Sequence, residues 1–403
     1  MNSGTLKQAI LFSFFYFLEG IPYGIQSDTL PIIYRSSLSL SLSLTTFSKI
    51  SLIPWLLKPF LASKFQSINS NKILVKCSLA IAVVVCFLAA LFHQNSYKNL
   101  LVIQFFLHSA IAAMDIGVDY LQISDETVAN DVKSFGLFKS IEVCFYKFGA
   151  FVAGALFLRF SAGGETNLDL LYGVAGLLYA VGFMVCFQTG SRIDQNHTST
   201  EEEKGKPVKI SKHAKICGFL LTQKLFGTAF RTLLPLYILD HGILRKEHIA
   251  AYTGTLPLIA GTFGSAFGGM IPTLFQTTKS EISVKSLLYG QTICFTIASI
   301  PSYFVFSGHV SNHSFMLFTS VLITVLSFLG GAQTTLVFVR MAEIVKENEF
   351  KENRNQLYCW LCSVEIIGKL VCGIIIGSVA EVLGYSSSIL LCLGFQFLTV
   401  FMV

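Results

Sequence analysis

Charge is the scarce ingredient of this chain. Only 13% of its 403 residues are Asp, Glu, Lys or Arg, while 53% are hydrophobic. A soluble core of that size would be wrapped in far more charge, so a free-standing soluble domain is excluded. The net charge of +6 forms no basic domain or stripe, which excludes a nucleic-acid partner. The ten cysteines are scattered, nearly all inside apolar stretches, and form no disulfide framework. Cys359 and Cys362 have redox or metal spacing but no second pair, so they read as small packing residues. Long polar runs are also missing, except one at about 190–214, where Glu201 to Glu203, several lysines and Pro207 interrupt the apolar pattern. No phosphate loop, zinc spacing or nucleophile elbow is present. His108, placed for membrane acyl transfer, has no supporting motif, so an enzyme is not expected and no cofactor or metal is implied. No cleavable leader is visible, because the first apolar stretch continues past Pro31.

What the chain has is apolar length, with a mean hydropathy of +0.64. One span takes about 20 residues, so the chain holds about twelve. The pattern predicts helices at about 6–34, 40–64, 73–93, 99–124, 136–160, 169–189, 215–241, 248–275, 283–306, 314–341, 355–381 and 386–403. The polar run divides them into an N-terminal six-helix bundle (1–189), a linker (190–214) and a C-terminal six-helix bundle (215–403). Basic residues set the orientation. With the N-terminus inside, the inner ends and loops carry Lys7, Lys64, Lys72, Lys76, Lys133, Lys139, the lysines from Lys204 to Lys215, Lys279, Lys285, Arg340, Lys346, Lys351 and Arg354. The outer ones carry only Arg35, Lys98, Arg159, Arg245 and Lys246. Both termini and the linker are therefore expected in the cytoplasm, in an endomembrane or the plasma membrane. Asn312-His-Ser314 is a glycosylation sequon in an expected outer loop; Asn196-His-Thr198 is one on the cytoplasmic side.

The halves echo each other. Ser140-Ile-Glu142 with Lys147 in helix 5 corresponds to Ser363-Val-Glu365 with Lys369 in helix 11. Gly20 with Leu30-Pro31 in helix 1 corresponds to Gly227 with Leu234-Pro235 in helix 7. Such parallel six-helix repeats resemble the build of major facilitator transporters. In that architecture helices 3, 6, 9 and 12 face lipid, and here their interiors carry no charge. The buried charges fall in helices 1, 2, 4, 5, 7 and 11. A charge at mid-bilayer costs about 2.5–3.5 kcal/mol, so these mark a wet, protein-lined interior.

Helix 4 places His108, Asp115 and Asp119 on one stripe, since offsets of seven and eleven return to within about 20°. The two carboxylates handle a proton or cation, or they form a structural ion pair with Lys58 or Lys139 that locks one conformation. Lys224 and Arg231 share a face of helix 7, and Lys369 follows Glu365 by one turn. These cations suit an anionic substrate, since Arg matches carboxylate or phosphate with its planar fork. Alternatively, Glu365 and acids of the other half neutralise them. Glu19 beside Gly20 and Pro22 marks either a broken helix with a candidate coupling site or a proline kink with a structural Glu. Asp28 and Asp240 are expected toward the outer face, as gate or helix-end residues. Gly149, Gly154, Gly261, Gly264, Gly268, Gly269, Gly373 and Gly377 are expected on packing seams between the halves.

Four segments together resemble one family. Glu19-Gly-Ile-Pro-Tyr-Gly24 with Leu30-Pro31, Pro54-Trp-Leu-Leu-Lys-Pro59, Ala113-Met-Asp115-Ile-Gly-Val-Asp119 and Tyr146-Lys147-Phe-Gly149 are similar to the acetyl-CoA transporter/AmpG group of the major facilitator superfamily. Leu239-Asp-His-Gly242 narrows the resemblance to the branch called major facilitator superfamily domain-containing protein 3. The resemblance implies transport of acetyl-CoA or muropeptides, the latter with proton coupling. Gln66 stands near a position where the family usually has Asp, which departs from its usual cytoplasmic gate. The chain also stops at Val403 inside helix 12, as a truncated gene product would.

The expectation is an all-α membrane protein, a twelve-helix bundle of two halves, acting as a secondary transporter by alternating access. Its partners are the lipid bilayer, a small anionic solute and, as coupling ion, protons. Lys224, Arg231 and Lys369 are the expected substrate ligands. Glu19, Asp115, Asp119, Glu142, Lys147 and Glu365 are the expected coupling or gating groups. The competing expectation is a transport-inactive receptor or scaffold that retains the fold.

Overall fold

The structure is a computed structural model. It describes residues 3–65, 67–92, 96–123, 132–160, 167–189, 213–277, 283–309, 312–346 and 354–403. Most of the 190–214 linker, the Asn196 sequon and Gln66 lie outside the described residues.

Among the described residues the elements are all helical and fall into twelve rods. Seven are uninterrupted: α3 (Ile68–Phe92), α4 (Tyr97–Ile123), α6 (Leu168–Thr189), α8 (Lys246–Thr277), α10 (Asn312–Lys346), α11 (Arg354–Leu383) and α12 (Tyr385–Met402). The same seven contain stretches long and apolar enough to cross a membrane. The other five are broken. In α1, Ser3–Gly24 leads through a π-helical turn, Ile25–Thr29, into Leu30–Ser36. In α2, Leu42–Phe47 and Lys58–Ala62 flank a 3-10 stretch, Ser48–Leu57. In α5, a second π turn, Val152–Leu156, separates Val132–Phe151 from Phe157–Phe160. In α7, Ala214–Thr222 and Leu225–Asp240 meet at a turn holding Lys224. In α9, Val284–Ser299 and Ser302–Phe306 meet at Pro301.

The break expected beside Glu19 therefore lies elsewhere. The helix runs through Pro22 to Gly24. Proline removes the N–H that would bond the carbonyl one turn back, at Leu18. That carbonyl accepts a bond from the Tyr179 hydroxyl of α6 at 3.2 Å, which lets the helix continue. The π turn that follows carries Asp28 rather than Glu19.

Among the seven uninterrupted rods, burial is greatest in α4 and least in α3 and α12. The apolar window of α4 is 61% buried, against 33% in α3 and α12. The outer faces of α3, α6 and α12 expose apolar side chains such as Ile81, Leu88, Leu177, Val181, Leu390 and Leu398, as lipid-facing helices should.

Glycine lets backbones touch at several crossings. Gly149 lies against the Phe17 carbonyl of α1, and Gly264 against the Phe328 carbonyl of α10. Both crossings are inside one half, so the expectation that these seams separate the halves is corrected for them. Gly154 (against Asp28) and Gly268 (against Ala332) are likewise internal. The seams between halves pair α2 with α11 and α5 with α8. There Gly373 and Gly377 face Lys49 and Thr46, and Gly261 faces Lys147.

Candidate functional site

A cavity of about 220 Å³ lies between the halves. Its walls come from α5, α7, α8 and α10, with Asp28 reaching in from α1 and Phe295 from α9. Three cations line it: Lys147, Lys224 and Arg231. Asp28 is the one carboxylate among the described lining residues. Phe151, Phe226, Phe230 and Phe295 supply an apolar wall.

Arg231 binds Asp28 as a fork. Its Nη2 donates to Oδ2 at 2.8 Å and to Oδ1 at 3.1 Å, and its Nε donates to Oδ1 at 3.3 Å. The guanidinium also stands 5.7 Å from the Tyr23 ring, an aromatic contact that favours a cation. The Asp28 side chain occupies the space left by Gly154 on the facing π turn. Asp28 thus lines the cavity and pairs across the halves.

Lys147 has no carboxylate partner among the described residues. Its Nζ donates to the Gly261 carbonyl at 2.6 Å and to Ser265 Oγ at 2.8 Å, both on α8. Lys224 Nζ donates to Thr334 Oγ1 at 2.6 Å and lies 3.9 Å from Glu365. Lys369 holds the same Glu365 at 2.9 Å and does not line the cavity. Two lysines therefore share one carboxylate.

Lys49 was not singled out as a site residue. It is 6% exposed, and its Nζ donates to Thr232 Oγ1 with no acid in reach among the described residues. Around the cavity, Lys49, Lys147, Lys224, Arg231 and Lys369 thus outnumber the described acids that act on them, Asp28, Glu365 and Glu19. The arrangement favours a negatively charged guest.

A second cluster has the opposite balance and lies nearer the end that carries the termini. Lys58 donates to Asp115 and, at 3.2 Å, to Asp119. Lys139 reaches Glu142 at 2.9 Å and Asp119 at 4.0 Å. Tyr16 donates to Asp119 at 2.8 Å, and Gln122 bonds both Lys139 and Glu142. The Lys139 ammonium also stands 5.7 Å from the Tyr358 ring of α11, in the other half. The stripe expected on α4 does face one way: His108 accepts from Trp55 Nε1 of α2 at 3.1 Å, two turns from Asp115. The ion-pair alternative raised for Asp115 and Asp119 matches this geometry. Glu19 makes no hydrogen bond or ion pair with any described residue.

The echo between α5 and α11 breaks at the charges. Glu365 and Lys369 are four residues apart and pair on one face. Glu142 and Lys147 are five apart, about 140° around the helix, and go to different clusters.

The halves touch beyond both ends of the cavity. At the end opposite the termini, Arg35 forks onto Asp240 at 2.7 and 3.0 Å, Tyr385 donates to Asp240 at 2.6 Å, and the Ser43 N–H donates to Glu381 at 2.9 Å. At the other end Phe60 packs on Trp360 with ring centroids 5.4 Å apart, and Ser363 donates to the Trp55 carbonyl at 3.1 Å.

No family model matches the chain. Among solved structures, the nucleoside transporter NupG is similar over the full length, with a TM-score of 0.66, 14% identity, and coverage of 100% of this chain and 98% of that one. A point mutant of the same transporter superposes with a TM-score of 0.65 at 14% identity, covering 98% of each chain. At that identity the likeness shows the fold alone. The fold is the one that transporter has, here an all-helical bundle of twelve rods in two sets of six with several helices long and apolar enough to cross a membrane.

Proposed function

We propose that this protein is a secondary transporter that moves a small organic anion by alternating access. The observation that carries this reading is the excess of cations around a cavity between the halves. Buried ammonium groups without counter-ions cost several kcal/mol, so a fold keeps them where a guest of opposite charge completes the set. Lys147, Lys224 and Arg231 would bind the anion. Glu365 would set how Lys224 and Lys369 divide their charge. Asp115, Asp119 and Glu142, with Lys58 and Lys139, would gate the end carrying the termini. Glu19 stands as a further coupling candidate. The basic-residue bias supports placing the termini in the cytoplasm, in an endomembrane or the plasma membrane.

Acetyl-CoA is the substrate suggested by the motif resemblance. A cavity of about 220 Å³ falls below the range of roughly 300–1,000 Å³ that drug-sized ligands occupy. In the closed form it suits a small carboxylate or phosphate, or the charged portion of a larger carrier. Acetyl-CoA as a whole requires the cavity to open.

The test is uptake by purified protein in liposomes, with labelled succinate, inorganic phosphate and acetyl-CoA. Saturable uptake or exchange of at least one, lost in Arg231→Ala and Lys224→Ala, is expected. No uptake of any would favour a transport-inactive receptor; intact transport in both variants would remove the anion-site assignment.

A further inference from the structure

We propose that the guest of this cavity is a single-ring organic anion that also carries a carboxamide or lactam group, with Gln223 reading that group and Gly227 leaving the slot in which the ring lies. This rests on the anion reading above and narrows its substrate class.

Gln223 sets this cavity apart from a plain anion site. It lines the cavity and is 2% exposed. Neither its Oε1 nor its Nε2 has a hydrogen-bond partner among the described residues. The other five buried glutamines described each make at least one side-chain hydrogen bond. Burying an amide with neither end matched costs the desolvation of both its donor and its acceptor. The backbone fixes its place. Gln223 closes the segment Ala214–Thr222, and its N–H donates to the Phe219 carbonyl at 2.9 Å. Lys224 opens the next segment, and its carbonyl accepts from the Thr228 N–H at 2.9 Å. The turn is thus bonded on both sides, and only the Gln223 side chain is left over. A glutamine amide offers an acceptor and an N–H donor side by side. Another amide presents the same pair in reverse order and satisfies both at once.

The rest of the wall fits a flat ring. Gly227 lines the cavity three residues after Lys224 and four before Arg231, on the same face of α7. A Cβ added there would meet nothing within 4 Å, so bare backbone leaves a slot between the two cations. Phe226, Phe230 and Phe295 also line the cavity, with Phe226 edge-on to Phe295 at 6.0 Å between ring centroids. Aromatic walls of this kind favour a ring over a flexible chain. From Gln223 to Arg231 is about 12 Å along the rod, which suits a ring with its carboxylate toward Arg231 and its amide toward Gln223. A cavity of about 220 Å³ leaves room for one ring rather than several.

The experiment is calorimetric titration of the purified full chain in detergent with 4-carbamoylbenzoate, benzoate and succinate. Wild type should bind 4-carbamoylbenzoate at least about tenfold more tightly than benzoate, because the analogue leaves the site's own amide unmatched. Gln223→Leu should bring the two affinities to within about threefold of each other, with benzoate binding held near its wild-type value. Without ligand the same variant should melt no lower than wild type, since it removes a buried amide that nothing matches. Gly227→Leu adds bulk to open space in a helix that prefers leucine to glycine, so it should fold. It should weaken both aromatic acids at least about tenfold and succinate less. Equal binding of the two aromatic acids by wild type, or a preference that survives Gln223→Leu, overturns the proposal. So does a Gly227→Leu protein that binds 4-carbamoylbenzoate as tightly as wild type. If Gln223→Leu does not fold, the wild-type preference decides alone. If succinate binds and neither aromatic acid does, this proposal falls and the anion reading stands. If all three fail to bind, and phosphate and acetyl-CoA with them, the anion reading falls and this proposal with it.

Discussion

Replacing Lys58 by Met should destabilise the protein severely, and a second mutation should repair part of the damage. The Lys58 side chain is 2% exposed and is the counter-ion of two carboxylates, Asp115 and Asp119, which are 6% and 4% exposed. Methionine fills nearly the same volume, so the change removes charge and little packing. Two buried carboxylates one turn apart would then share only Lys139, which lies 4.0 Å from Asp119. Removing one partner of a buried ion pair costs about 3–5 kcal/mol. At about 2–4 °C per kcal/mol for a body of 150–250 residues, the melting temperature in detergent should fall by on the order of 10 °C.

Asp115→Asn alone should change stability by no more than about 1 kcal/mol, because Lys58 keeps Asp119 and the cluster loses an excess negative charge. Combined with Lys58→Met it should recover about 2 kcal/mol, since Asp119 retains Tyr16 and Lys139. Lowering the pH should also narrow the gap between Lys58→Met and wild type, because protonating the orphaned carboxylates removes the penalty. A Lys58→Met protein that melts within about 2 °C of wild type, with additive double-mutant behaviour, would refute the view that this cluster is one coupled lock.

Lys147→Met should leave thermal stability unchanged or raise it by about 1 kcal/mol, because no paired acid is stranded, yet succinate binding should weaken at least about tenfold. Arg35→Ala removes a partly exposed ion pair, so melting should shift by about 1 kcal/mol or less. A cysteine at position 234, on the cavity wall, should nonetheless react faster with an impermeant thiol reagent applied from the side opposite the termini. Gly264→Val should abolish folded protein on size-exclusion chromatography, since the added Cβ meets the Phe328 carbonyl, and an overpacked backbone crossing costs about 3 kcal/mol or more.

The twelve rods were legible because apolar length and the polar run at about 190–214 are composition signals, and both survive without knowledge of packing. The sorting of charge was legible for the same reason: α3, α6, α9 and α12 could not carry charge toward lipid. Asp28 was read toward the outer face as a gate or helix-end residue, but its aim into the cavity depends on the π turn that carries it. A π turn has one extra residue, which re-aims the side chain, and such a turn depends on hydrogen-bond register rather than residue type. Lys49 was visible as an intramembrane charge, but that its ammonium bonds Thr232 and pairs with no described acid is a tertiary fact. The glycine seams were recognised as close contacts, but which helix each one touches depends on the crossing partner.

The contacts that close the cavity and the groups that would hold its guest are largely the same atoms. Arg231 ties α7 to α1 through Asp28, and Lys147 ties α5 to α8 through the Gly261 carbonyl and Ser265. Each link joins the N-terminal half to the C-terminal half. A guest that binds these cations without breaking the links would add equal energy to the closed and open forms and move nothing, however tight its binding. A guest that replaces the links weakens closure by what the displaced contacts contributed. The Lys58–Asp115–Asp119 cluster lies outside this competition, because its partners are all in the N-terminal half. It holds α2 against α4 whether or not the cavity is filled, and α2 is the helix that packs along α11. On the proposed function, an arriving anion that replaced the Arg231 and Lys147 links would be the agent that frees the halves to move.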